Sequence, residues 1–150
     1  MSIFDKNMVP IPANLRLKMS KEFDGYGEEY NHSGIVAPVD VWDVMENTLN
    51  KGFIHKLCNG CGSASTEVVP DTQWGLCITP ICNPHDVTHA LSETPEDCDR
   101  SNKLFLLNNI TFINNNSNFI MRIMRRYRAT TYYSGVEEGK RLFCNGYKGI

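Results

Sequence analysis

His85 and Asp86 are neighbours, three residues after Cys82, in the stretch Thr79-Pro80-Ile81-Cys82-Asn83-Pro84-His85-Asp86. An imidazole is a general base near neutral pH, and a carboxylate is a ligand for a hard cation. Adjacent residues on a helix point about 100° apart, so these two side chains cannot hydrogen-bond each other as a catalytic His-carboxylate pair. They address two neighbouring points instead, a water for the imidazole and a cation for the carboxylate. The imidazole then needs an orienting partner from another element. Asp99, at the start of the next apolar run, is placed to be that partner. His89 follows His85 by four residues and shares its face. Its simplest role is a helix-face histidine bonded to a nearby carboxylate.

The elements that must hold these groups can be read from caps and apolar spacing. A helix begins near Pro38, carries Val41, Val44, Met45 and Leu49 as its stripe, and stops at Gly52. Residues 53–78 read as loop, with glycines at positions 60 and 62. The helix of His85 starts either at Thr79-Pro80 or at Asn83-Pro84. The next has Thr94 as cap, Pro95 first, and Glu96 and Asp97 in its first turn. Asn114 to Ser117 break the pattern. A last helix then runs from about Asn118 to Arg141, with Phe119, Ile120, Ile123, Met124 and Tyr127 expected on its inner face. Residues 1–36 read as an extended arm, packed on the body or on a neighbour, with one short strand where Leu15, Leu17 and Met19 alternate with Arg16 and Lys18. Residues 37–150 read as the helical body.

Lys and Arg total 15 against 17 Asp and Glu, for a net charge of −2. That leaves no global field to draw the chain to nucleic acid or to an anionic membrane. No apolar run has transmembrane length. The opening Met-Ser-Ile-Phe-Asp-Lys-Asn lacks the basic-then-apolar form of a signal peptide. Localisation is therefore open, with release by another route or association with a larger particle as expectations.

Cys82-Asn83-Pro84-His85-Asp86, followed by Cys98-Asp99-Arg100 and Phe105, resembles the secreted phospholipase A2 superfamily. That family carries Cys-x-x-His-Asp on one helix, and Cys-Asp-Arg or a shorter Asp-x-x-Phe form on its antiparallel partner. Asn59-Gly60-Cys61-Gly62-Ser63 is similar to the glycine-rich calcium loop of compact prokaryotic members. The resemblance covers residues 56–107, and its three motifs are specific through their order and spacing. It implies a mainly α fold: an antiparallel helix pair with a calcium loop, here with an extra C-terminal helix and the N-terminal arm. It implies hydrolysis of the sn-2 ester of a phospholipid at a membrane surface. His85 would be the general base, Asp99 its orienting carboxylate, and Asp86 a Ca²⁺ ligand together with Asn59, Gly60 and Gly62. Cys61 and Cys82 would form a disulfide. The sequence departs from the family at His89, where a tyrosine usually stands, and at Asn59, where an acid often stands. A phenol for Asp99 would then come from Tyr132 or Tyr133.

Two other readings come from the residues themselves. Cys58, Cys61, Cys77 and Cys82 could hold a structural Zn²⁺ in an interaction module. Alternatively, the chain is a structural or assembly protein that retains this fold, meeting a protein partner through residues 1–36 and the Arg122–Arg128 face. Cys98 and Cys144 either pair or stay as small buried hydrophobes.

Overall fold

Helix is the dominant element of the computed structural model, which describes residues 2–59, 61 and 72–148. In chain order the elements are β1 (Met8–Pro10), α1 (Ala13–Met19), β2 (Val36–Pro38), α2 (Val39–Asn50), α3 (Ile54–Leu57), β3 (Thr72–Gln73), β4 (Leu76–Cys77), α4 (Thr79–Leu91), α5 (Pro95–Asn115) and α6 (Phe119–Phe143). Short 3₁₀ turns cover Ile3–Asp5 and Asn145–Tyr147.

The N-terminal segment is less extended than its prolines suggest. β1 and β2 pair antiparallel, with Val9 opposite Ala37. The expected strand at Leu15 to Met19 is helix α1. Leu15 and Met19 lie four apart on one buried face, while Leu17 points to solvent. Their spacing fits period 3.6 as well as period 2, and Pro12, extended just ahead of Ala13, sets the helical start. Residues 2–36 pack on the body. Leu15, Met19 and Tyr26 join Val41, Trp42, Met45, Ile54 and Val87 in one of two core clusters. The indole of Trp42 donates to the Val9 carbonyl at 2.8 Å, and the Ser2 hydroxyl donates to Asp97 at 2.5 Å.

α4, α5 and α6 pack in succession and enclose the second cluster, which contains Ile78, Ile81, Phe105, Phe112, Ile113, Ala129 and Tyr132. α4 lies between the two clusters, which is why almost every residue from Thr79 to Thr88 is buried. It takes the earlier of its two possible starts. Pro80 sits in the first turn, where its missing N–H costs nothing, and Pro84 lies inside, where it cannot donate to the carbonyl four residues back. α5 begins as its sequence requires, the Thr94 hydroxyl accepting the Asp97 N–H at 3.2 Å. The region expected as loop holds α3 and the β3–β4 hairpin in addition.

α6 corrects one expectation. Spacing alone turns Phe119, Ile120, Ile123 and Tyr127 inward, yet they are 76, 67, 58 and 74% exposed. The face turned to α5 is Arg125, Ala129, Tyr132 and Val136, on the opposite side of the helix. Ala129 and Tyr132 are its buried members, and small Ala129 admits the close approach to the α5 core. Spacing identifies a stripe; it does not say which of two stripes meets the neighbour.

Two disulfides fasten the helices, Cys61–Cys82 and Cys98–Cys144. The first ties the loop before the hairpin to α4. The second ties the start of α5 to the end of α6. Next to it, a Cβ at Gly146 would collide with the Thr94 carbonyl oxygen, so only glycine fits there. No helix among the described residues is long and apolar enough to cross a membrane.

Candidate active site

α4 turns His85 toward α5, where its Nε2 lies 2.7 Å from the side-chain oxygen of Asn102. His89, one turn on, brings its Nε2 to 2.8 Å from that same oxygen. The Asn102 amide nitrogen donates to the Val136 carbonyl at 3.2 Å and to Glu137 Oε1 at 3.3 Å. This arrangement fixes the protons. Val136 O can only accept, so the amide nitrogen faces α6 and the oxygen faces the imidazoles. Both Nε2 atoms must then carry hydrogen, which leaves the lone pair of each ring on Nδ1. The two rings are 4.1 Å apart by centroid, and the His85 ring lies 4.7 Å from that of Phe105.

Both imidazoles are held below the ordinary histidine range. For His85 the main cause is burial, then the charge that His89 would carry, partly opposed by the Asn102 bond. For His89 the main cause is again burial, opposed by Asn102 and by Glu137. At neutral pH both rings are uncharged, as a general base must be.

Asp99, expected as the orienter of His85, does not reach it. Its carboxylate accepts from the Lys140 ammonium at 2.6 Å, and Lys140 also donates to Glu137 at 2.7 Å. Both carboxylates hold the Lys140 pKa up. Asp99 therefore stands at the far end of a chain that runs through Lys140, Glu137 and Asn102 to the imidazoles. Asn102 is one turn further along α5, and that turn is the reason for the exchange. The signal was in the sequence: Asn102-Lys103-Leu104-Phe105 has Asp-x-x-Phe spacing with an amide for the acid. Glu137 had no such signal, because its role depends on how α6 packs. The Tyr132 hydroxyl donates to the Thr72 carbonyl at 3.1 Å, away from Asp99.

Asp86 points away from α5, toward the segment after α3, and accepts the Asn59 backbone N–H at 3.1 Å. The Cys61–Cys82 disulfide holds that segment against α4. Gly60 and Gly62 lie outside the described residues. Among the described residues, no three His, Cys, Asp or Glu side chains are grouped to hold a metal. As a hard carboxylate, Asp86 is the ligand type that Ca²⁺ takes.

Two of the four cysteines of the zinc reading, Cys61 and Cys82, are held in a disulfide, and Cys58 and Cys77 are free thiols. The Cys58 thiol is pushed up by burial and by the Asp86 charge, away from the thiolate that zinc requires. Below Asp86, the Asn83 amide donates to the Tyr26 hydroxyl at 3.0 Å, a buried bond that fixes this turn of α4 to the N-terminal segment.

Asn102→Leu would leave two imidazole N–H groups without a partner and remove one donor each from the Val136 carbonyl and the Glu137 carboxylate. We expect a loss of about 2 to 3 kcal/mol in denaturant unfolding. A variant as stable as the native chain would show that the amide does not hold the cluster together.

The lowered imidazoles also set a pH dependence. A group whose folded pKa is depressed contributes stability above its unfolded value, here about 6.5, and loses it as pH falls through the folded value. The unfolding midpoint should therefore be lower at pH 5 than at pH 7.5. The gap should narrow in a His85→Gln/His89→Gln double variant; an unchanged gap would place the acid sensitivity elsewhere.

No protein-family model, no curated protein and no solved structure matches this chain.

Proposed function

We propose that the chain is a calcium-dependent hydrolase of the phospholipase A2 type, acting on the sn-2 ester of a phospholipid. The observation that carries this reading is His85: a buried, neutral imidazole whose Nε2–H is committed to Asn102 and whose Nδ1 keeps its lone pair. In this reaction Nδ1 takes a proton from a water as the water oxygen attacks the ester carbonyl carbon. The imidazolium so formed keeps its hydrogen bond to the Asn102 oxygen, with the Glu137 carboxylate behind the amide. The proton then passes to the leaving alcohol oxygen as the ester C–O bond breaks. A fatty acid and a lysophospholipid result, and His85 is neutral again. Asp86, with Asn59 and the chain around positions 60 and 62, would hold Ca²⁺, whose chemistry there is to polarise the ester carbonyl and stabilise the oxyanion.

An amide orienter fixes the tautomer as a carboxylate does, as in Cys-His-Asn proteases. It adds no full negative charge to balance the imidazolium. Lys140 further offsets the charge of Glu137. These features favour a slow enzyme over a fast one.

A second reading has one observation behind it. The His85, His89, Asn102, Glu137, Lys140 and Asp99 chain is a closed polar network, of the kind that fixes helix register in a structural protein. The test for both is fatty-acid release from mixed phospholipid vesicles, with calcium and with chelator. Release that requires calcium supports the hydrolase. A folded chain that neither releases fatty acid nor binds calcium is the structural protein.

A further inference from the structure

The geometry points to a membrane-docking surface built from the outer face of α6 and the Trp74 turn, its partner an anionic phospholipid bilayer. The inference rests on the phospholipid reading for its biological sense, and on separate observations for its substance.

The first is the exposed face of α6. At about 100° per residue, Phe119, Ile123, Tyr127 and Ile120 fall within about 100° of the helix circumference. Arg126 lies about 20° before this strip and Arg128 about 80° beyond it. The strip is turned outward, with its large apolar side chains in solvent. Apolar residues flanked by arginines on a surface helix are the pattern of a helix lying in the headgroup plane, where aliphatic stems follow the acyl chains and guanidiniums meet phosphates.

The second is Trp74. It is 48% exposed and occupies the first position of the two-residue β3–β4 turn. Its φ is +48°, and that of Gly75 is +79°. Both positive values describe a turn in which asparagine or glycine is favoured at the first place. A tryptophan there is held by neighbours: Arg125 donates to its carbonyl at 2.7 Å, and the Arg128 guanidinium sits 5.5 Å from its ring. The strained turn presents an exposed indole beside Arg128, the arginine that flanks the α6 strip. Backbone strain of this kind is tolerated where the side chain serves a role, and an indole suits the bilayer interface.

The third is charge. Phe119 to Val136 contain Arg122, Arg125, Arg126 and Arg128 and no Asp or Glu. The hairpin Thr72–Cys77 adds no acid. A two-fold pairing of two copies through this face would set guanidiniums against guanidiniums with no carboxylate between them. An anionic lipid surface supplies the missing charge, by an attraction that falls with added salt.

The experiment uses vesicles of ether-linked phosphatidylglycerol and phosphatidylcholine with chelator present, so that nothing can be hydrolysed. The chain has two tryptophans. Trp42 is buried, so a change in emission on binding reports Trp74. We expect co-sedimentation with the vesicles and a blue shift that is absent from Trp74→Phe. Partitioning should weaken at least 10-fold in Ile123→Asp, and several-fold in Arg128→Gln, at high salt or on pure phosphatidylcholine. Circular dichroism would confirm that these surface variants fold.

Failure to co-sediment under all conditions overturns the inference. So does a native dimer that Ile123→Asp converts to monomer, which would assign the face to a second copy. A monomeric short-chain phospholipid separates this result from the hydrolase reading. Ile123→Asp should cleave it at the native rate, and native protein that binds vesicles yet cleaves neither substrate would leave docking standing and remove the hydrolase.

Discussion

His85→Gln is expected to lower calcium-dependent fatty-acid release by about 100-fold to 10,000-fold, the range for losing a positioned general base. Glutamine is the informative replacement. Its amide nitrogen can still donate to the Asn102 oxygen, so the polar network that ties α4 to α5 is largely kept. What it cannot do is accept a proton from water. The loss should appear in kcat, with the unfolding midpoint close to native at pH 7.5. His89→Gln is the control on the same face. His89 shares the Asn102 oxygen at 2.8 Å, but the base is assigned to His85, so this variant should lose much less. Equal losses in the two variants would point to damage of a shared scaffold. Native activity in His85→Gln would remove the imidazole from the reaction altogether.

The second large effect concerns the Cys98–Cys144 disulfide. It closes 46 residues of chain, from the first turn of α5 to the end of α6. A cross-link of that span restricts the unfolded chain by about 4 kcal/mol on the loop-entropy account. Its removal as Cys98→Ala/Cys144→Ala should therefore take a large share of a typical domain's stability of about 5 to 15 kcal/mol. The functional consequence is more specific than unfolding. Lys140 and Glu137 lie in the last two turns of α6 and complete the chain of hydrogen bonds behind Asn102. A freed α6 end would loosen that chain and leave His85 without a fixed tautomer. The double variant should show a lower denaturant midpoint and weaker amide protection from Gly135 to Phe143. A loss of less than about 1 kcal/mol, far below the loop-entropy value, would mean that packing of α5 on α6 holds this end without the bond.

Much of the frame was written in local sequence. Thr94-Pro95-Glu96-Asp97 starts α5 where cap chemistry requires it, because the cap hydroxyl and the fixed proline φ act within a single turn. The break at residues 114–117 separates α5 from α6 for the same local reason. His85 and Asp86 diverge on α4 through helix geometry alone, and Cys61 and Cys82 form the disulfide that the resemblance implied. What the sequence by itself determined was therefore the existence of the four main helices, their approximate ends apart from the start of α4, and the two groups on α4 that can do chemistry. It left α1 ambiguous, because a run as short as Leu15 to Met19 satisfies two periods at once.

The tertiary structure decided which partner each group meets. Asp99 and Asn102 lie three residues apart on one face of α5, about 60° from each other. Either could face His85 if only the sequence spacing counted. The rotation and axial position of α5, fixed by the Cys98–Cys144 bond and by the Lys140 ion pair, put Asn102 against the imidazoles and Asp99 against Lys140. The same applies to α6, whose two stripes both have helical spacing. The close approach allowed at Ala129 turned one stripe to the core and the other, from Phe119 to Tyr127, to the outside. Periodicity within a helix is set by its own backbone, whereas its rotation against a neighbour is set by contacts between residues far apart in the chain.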